Sequence, residues 1–281
     1  MSDLRYAFLV TRGHGSADAA IAAHDGGTVL LDMKERRVIR RYGTGDVTAE
    51  YVRMRRAFTA HVGAPAFTVG GAGEFVVEEL ILGEHLLDLP LATRVSALRR
   101  LISEYARLTA HAGVEGAGMR DLLTHVFDRL IQNRGLRDRW DAAHLGDLAT
   151  RMTWVPSAYE ATAKNLMVSR GQRPVPIDLG DLQMQPFFAY PVGVLISAGG
   201  DVLDAFRRGV FDAEFEELWA AAGQTWSGGD AAREGVLVAR AAFAATRDHD
   251  AGVPGGIDEL FGARLTTIQP WLNDTRTGGF V

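Results

Sequence analysis

The 281-residue chain is 47% apolar and 23% charged, an ordinary globular composition that excludes a disordered tail or a collagen-like fibre. Its 30 Lys and Arg against 35 Asp and Glu leave a net charge of −5, so no basic excess points to nucleic acid. It has no cysteine, which removes disulfides, thiolate metal sites and a Cys nucleophile together.

The start, Met1-Ser2-Asp3-Leu4-Arg5-Tyr6, lacks a basic end followed by an apolar run, so no targeting segment is expected. The most apolar stretch, Phe187 to Ala198, is interrupted by Pro191 and Gly193 and is far shorter than the roughly 18 residues of a membrane span. The expectation is a soluble, cytoplasmic protein with neither membrane nor nucleic acid as partner. Only Lys34 and Lys164 are lysines; every other cation except histidine is arginine.

In chain order, residues 6–11, 28–32 and 37–42 read as strands, the last two flanking a short polar turn. Residues 47–61 read as a helix, with Tyr51, Met54, Phe58 and Val62 at helical spacing. Two more strands follow at 66–69 and 74–82, across a Gly-Gly-Ala-Gly turn. From about Leu86 the character changes. Residues 93–112 form a strongly amphipathic pattern, with Val95, Leu98, Leu101, Ile102, Tyr105 and Leu108 on one stripe. Residues 121–132 and 137–152 also read as helical. A β-like island covers 165–168 and 175–178, and 202–247 is again helical, with glycine-rich breaks at 227–229 and 252–256. The layout is a small, mostly β lobe joined to a larger, mostly α lobe.

The most informative stretch is Ala158-Tyr159-Glu160-Ala161-Thr162-Ala163-Lys164-Asn165, followed by Asp178-Leu179-Gly180. An acid lies five residues before an Asn, and thirteen residues later a hairpin leads to an Asp-Leu-Gly triplet. Phosphoryl transfer from ATP uses this kit: one carboxylate orients the attacking hydroxyl, while an Asn and an Asp hold Mg²⁺ against the phosphates. Taken singly, Asn165 and Asp178 also read as turn residues that cap a hairpin.

These motifs make the chain resemble the protein-kinase-like superfamily, on the side of the aminoglycoside phosphotransferases and choline kinases. The resemblance implies an α+β, bilobal protein-kinase-like fold, with a small β-rich N-lobe at 1–83 and a larger helical C-lobe at 84–281. It implies ATP and Mg²⁺ as cofactors, Asn165 and Asp178 as metal ligands, and Glu160 in the place of the catalytic base. The family reads His-Gly-Asp or His-Arg-Asp at the head of that loop; this chain reads Ala158-Tyr159-Glu160, which fits either a displaced base or a degraded kinase. His144-Leu145-Gly146-Asp147 looks like the missing motif, but no Asn lies five residues after Asp147 and the interval to Asp178 is too long.

The resemblance also asks for a cation on the third strand, paired to a Glu on the next helix. Arg40 with Glu50 fits that role, and Lys34 is the rival cation. Gly13 and Gly15, in Gly13-His14-Gly15-Ser16, form the candidate phosphate-covering turn, or a plain hairpin turn. Glu79 and Leu80 match the hinge where an adenine would bond to backbone groups. Lys164 is a candidate phosphate contact in the catalytic loop, or a solvated charge. The eight histidines show no metal-ligand spacing such as His-Glu-x-x-His. The aromatic, Pro-bounded stretch Leu182 to Pro191 reads as an acceptor-site floor, a protein interface or a buried loop.

The expected activity is phosphoryl transfer to a hydroxyl of a small molecule, or of Ser/Thr in a precursor peptide with a lyase as partner. The alternative is a pseudokinase scaffold that binds a peptide or partner protein.

Overall fold

The computed structural model describes residues 19–22, 27–41, 47–143, 145, 148 and 150–272. The strand expected at 6–11, the Gly13–Gly15 turn, and His144 and Asp147 lie outside the described residues.

Strands β1 (Ala19–Ala22), β2 (Thr28–Asp32) and β3 (Arg37–Arg41) form an antiparallel meander. Helix α1 (Ala49–His61) starts where the Thr48 side chain accepts the Tyr51 N–H at 3.1 Å, an N-cap that satisfies one of the helix's free donors. Strands β4 (Phe67–Gly70) and β5 (Phe75–Glu79) complete a five-stranded sheet of order β1-β2-β3-β5-β4. The expected strand 74–82 is thus shorter, ending at Glu79. Strand β6 (Gly83–His85) then leaves the sheet and pairs with residues 167–169. Gly83 is required there: a Cβ would lie 2.2 Å from the Val168 carbonyl oxygen.

Helix α2 (Leu91–Ala112) buries the expected stripe, Leu98, Leu101, Ile102, Tyr105 and Leu108. Strand β7 (Val114–Ala117) follows. The helix expected over 121–132 is two short pieces, α3 (Met119–Leu122) and α4 (Phe127–Gln132). The helix expected over 137–152 is α5 (Arg134–Ala142); residues 151–158 instead form strand β8 (Arg151–Ala158). Thr153, Trp154 and Val155 are strand formers, Pro156 has no N–H for a helix, and neighbours on both sides claim the β8 backbone.

Strands β9 (Leu166–Ser169) and β10 (Pro174–Pro176) are the expected hairpin, and β11 (Leu182–Pro186) pairs with β8 in register Leu182–Ala158. The rest is helical: α6 (Ala189–Ser197), α7 (Gly200–Arg207), α8 (Asp212–Ala221), α9 (Gly229–Asp250) and α10 (Ile257–Ile268). Of the three readings for the aromatic stretch, burial prevails at its centre. Phe187, Phe188 and Tyr190 are fully buried, and the Phe187 ring meets Trp219 edge-on at 4.9 Å. The result is a bilobal α+β fold, a β-rich N-terminal part on a helical C-terminal part. A buried Glu104 on α2 ties the two together by accepting the Gly63 N–H at 2.7 Å.

Candidate active site

The hairpin β9–β10 brings the two expected metal ligands onto adjacent backbone. The Ile177 N–H donates to the Asn165 carbonyl at 2.9 Å, so Asp178 follows directly on the residue bonded to Asn165. Asn165 ends a 3₁₀ turn over Ala163–Asn165 that is capped by the Thr162 side chain. The Asp178 segment is anchored from the N-lobe, because the Tyr51 hydroxyl donates to the Leu179 carbonyl at 2.9 Å and Leu179 is fully buried. Asp178 itself stays about half exposed, at 49% of its side chain.

Arg40 reaches across from β3. Its Nη2 lies 3.3 Å from the Asp178 carboxylate, its side chain is only 16% exposed, and its Nε is a buried donor without a partner among the described residues. Lys34 sits exposed in the turn between β2 and β3, so Arg40, not Lys34, is the cation that meets the Asp178 segment. Glu50 does not pair with Arg40. It is one position before the inward-facing Tyr51, roughly 100° round the helix, and lies on the exposed side 3.7 Å from Arg53. The buried ion pair between α1 and the sheet is the reverse of the expected one: Arg55 on the helix with Glu78 on β5, at 2.8 Å. Burial pushes the Glu78 carboxyl above its ordinary range; Arg55 and Arg40 pull it back, and the Asp178 charge adds to the push.

At the expected hinge the Glu79 N–H donates to the Ala66 carbonyl at 2.9 Å and the Leu80 N–H to the Arg36 carbonyl at 2.8 Å, so both donors are used within the small lobe.

The loop carrying Glu160 is held from three sides. The Tyr159 N–H donates to the Asp181 carbonyl at 2.8 Å, the Ala163 N–H to the Ser197 hydroxyl at 2.8 Å, and Arg247 donates to the Tyr159 carbonyl at 2.7 Å. The Arg247 guanidinium also lies 4.4 Å from the centre of the Tyr159 ring, a cation–π contact that gives the unusual tyrosine a fixed seat. Glu160 is exposed into a cavity of about 270 Å³ between the loop, α6, α9 and α10. Its carboxylate has no hydrogen-bond or ion-pair partner among the described residues. Lys164 is exposed and likewise forms no ion pair among them.

Sequence spacing missed two groupings. Arg240, Arg247 and Arg264 line the Glu160 cavity, brought there by α9 and α10. His125, His249 and Asp250 place ligand atoms within 4.8 Å of one another, a cluster made only where the end of α9 meets the turn before α4.

No protein-family model and no curated protein sequence matches the chain. Solved structures do match its fold. A choline/ethanolamine kinase family protein from Mesorhizobium loti superposes with a TM-score of 0.54 at 13% identity, over 94% of this chain and 90% of that one. An aminoglycoside phosphotransferase from Alicyclobacillus acidocaldarius gives 0.50 at 11% identity, over 95% of both chains. Aminoglycoside 2'-phosphotransferase-IIIa, solved as its GDP complex, gives 0.51 at 12% identity, over 91% of this chain and 93% of that one. The chain has the fold of the kinase-like small-molecule phosphotransferases, as the catalytic-loop and Asp-Leu-Gly spacing implies. No described helix is long and apolar enough to cross a membrane.

Proposed function

We propose that the protein is an ATP- and Mg²⁺-dependent phosphotransferase acting on a hydroxyl of a small molecule. The observation that carries this reading is the convergence of Arg40, Asn165 and Asp178 at the junction of sheet and helical lobe. The residues fit the groups they would hold. Asn165 and Asp178 offer oxygen ligands of the kind Mg²⁺ takes. The buried, unpartnered Nε of Arg40 suits a phosphate oxygen. Mg²⁺ supplies charge neutralisation on the phosphates.

Arg40 orients the phosphates, and the loop from Tyr159 to Asn165 holds the acceptor side. In the transfer, the acceptor oxygen bonds to the terminal phosphorus as the bond to the departing ADP oxygen breaks, and the hydroxyl proton goes to Glu160. Glu160 is suited to that role because its carboxylate faces the cavity unpartnered, while Tyr159 and Ala163 on either side are clamped. The cavity is at the small end of ligand sites, which favours a small acceptor over a peptide chain.

Calorimetric titration of ADP with and without Mg²⁺ tests the reading. Mg²⁺-dependent binding that disappears in Asp178→Ala is expected. Binding indifferent to both the metal and the substitution would leave a scaffold, not a transferase.

A further inference from the structure

The acceptor cavity is unusually cationic for a site that also holds a carboxylate. Arg240 and Arg247 stand two turns apart on α9 and share a face, and α10 adds Arg264. Arg264 is occupied by Asp248, to which its Nε donates at 2.9 Å. Arg247 gives one bond to the Tyr159 carbonyl and lies 3.5 Å from the same Asp248. Arg240 is different. It is buried beneath the cavity, its Nε donates to the Ala189 carbonyl at 2.8 Å, and no carboxylate pairs with it among the described residues.

Three guanidinium groups therefore face two acids, Asp248 and Glu160, and the surplus charge sits on the most buried of the three. Burial first, and then the charges of Arg247 and Arg264, push the Arg240 guanidinium down to about 9, against the opposing pull of the Asp248 charge. A buried cation with no carboxylate bonded to it is costly to keep. The fold nevertheless makes room for it: a Cβ at Gly193 would lie 2.9 Å from both Nε and Nη2 of Arg240, and 2.5 Å from the Ala161 Cβ. The hydroxyls of Thr162, Ser197 and Thr267 complete the lining.

We propose that the acceptor carries an oxyanion, a phosphate or carboxylate group, which Arg240 binds while the hydroxyl to be modified lies at Glu160. This rests on the phosphotransferase reading and names its substrate class. A polycationic or quaternary-amine acceptor is disfavoured, because its charge would enter among three arginines.

Calorimetry with inorganic phosphate, glycerol 3-phosphate, glycerate, glycerol and ethanolamine as probes tests the assignment. The parent should bind anionic probes and neither glycerol nor ethanolamine; phosphate probes alone or glycerate alone would identify which oxyanion the site takes. Arg240→Gln should weaken anion binding by about tenfold or more, the worth of one charge-assisted contact. Thr267 is exposed at the cavity edge, so Thr267→Glu tests charge without touching the buried arginine. It should weaken anion binding several-fold more than Thr267→Gln, and it decides the matter if Arg240→Gln does not fold. Equal binding of glycerol or ethanolamine, or full anion binding in both Arg240→Gln and Thr267→Glu, would overturn the proposal. Mg·ADP binding, measured in parallel, separates the two readings. Mg·ADP binding without anion binding overturns this inference alone; anion binding without Mg·ADP binding overturns the phosphotransferase reading.

Discussion

Arg40 on the third strand and Asp178 at the head of the Asp-Leu-Gly segment form an ion pair of 3.3 Å that joins the sheet to the loop expected to hold the metal. On the proposed phosphotransferase reading, the pair makes Arg40 part of the metal site's electrostatics as well as a phosphate contact. Arg40→Ala should weaken Mg·ADP binding by about 10–100-fold, the usual worth of a hydrogen bond to a charged group. Arg40→Lys should recover only part of this, because a point charge replaces a planar fork that can meet carboxylate and phosphate together. Titration of nucleotide into the three proteins measures both effects, and wild-type affinity in Arg40→Ala would remove the residue from the site.

Asp178→Ala should abolish Mg²⁺-dependent turnover while thermal unfolding changes little, since the Asp178 side chain is half exposed and supports no core packing. Asn165→Ala should act in the same direction and less strongly, because Asp178 keeps one ligand in place. Turnover assays over a Mg²⁺ series check the order of the two.

Glu160→Gln should leave Mg·ADP binding intact and lower transfer by about 10²–10⁴-fold, the range for a positioned general base. The amide keeps the shape and loses the charge that takes the proton. Glu160→Asp should also lower transfer, because Tyr159 is pinned by Arg247 at 4.4 Å and the loop is set for the longer acid. An increase for Glu160→Asp would show that the site still expects the shorter side chain.

Arg55→Met should cost about 3–5 kcal/mol at neutral pH, because it strands the buried Glu78 carboxylate. The sign of the pH dependence follows. Burial already raises Glu78 in the folded protein, and loss of the guanidinium raises it further. A group raised in the folded state adds stability below its unfolded value and loses it as pH rises through its folded value. The deficit of Arg55→Met should therefore narrow as pH falls from 8 towards 5, and Arg55→Met/Glu78→Gln should recover stability at pH 8. Urea unfolding midpoints at the two pH values provide the check.

The backbone of the candidate site was legible from spacing. The interval from Asn165 to Asp178 is a hairpin's length, and the structure uses it as one, with Ile177 bonded back to Asn165. The α2 stripe was equally plain, since one face of a helix must bury its apolar residues. Where tertiary neighbours compete for the backbone, local pattern misled. The helix expected over 137–152 stops at Ala142, and Arg151 and Met152 join strand β8 against β7.

The order of chemistry-bearing residues along the chain, Glu160, Asn165 and Asp178, was determined by sequence alone, because those side chains are linked by a short loop and a tight turn. The partners of the charges were decided only in three dimensions. Whether Arg40 faced Glu50 or Asp178, whether α1 offered the sheet a carboxylate or the Arg55 guanidinium, and whether three distant arginines shared one cavity depended on how α1, α9 and α10 pack. Ion pairing needs side chains within a few ångströms, and packing, not separation along the chain, sets those distances.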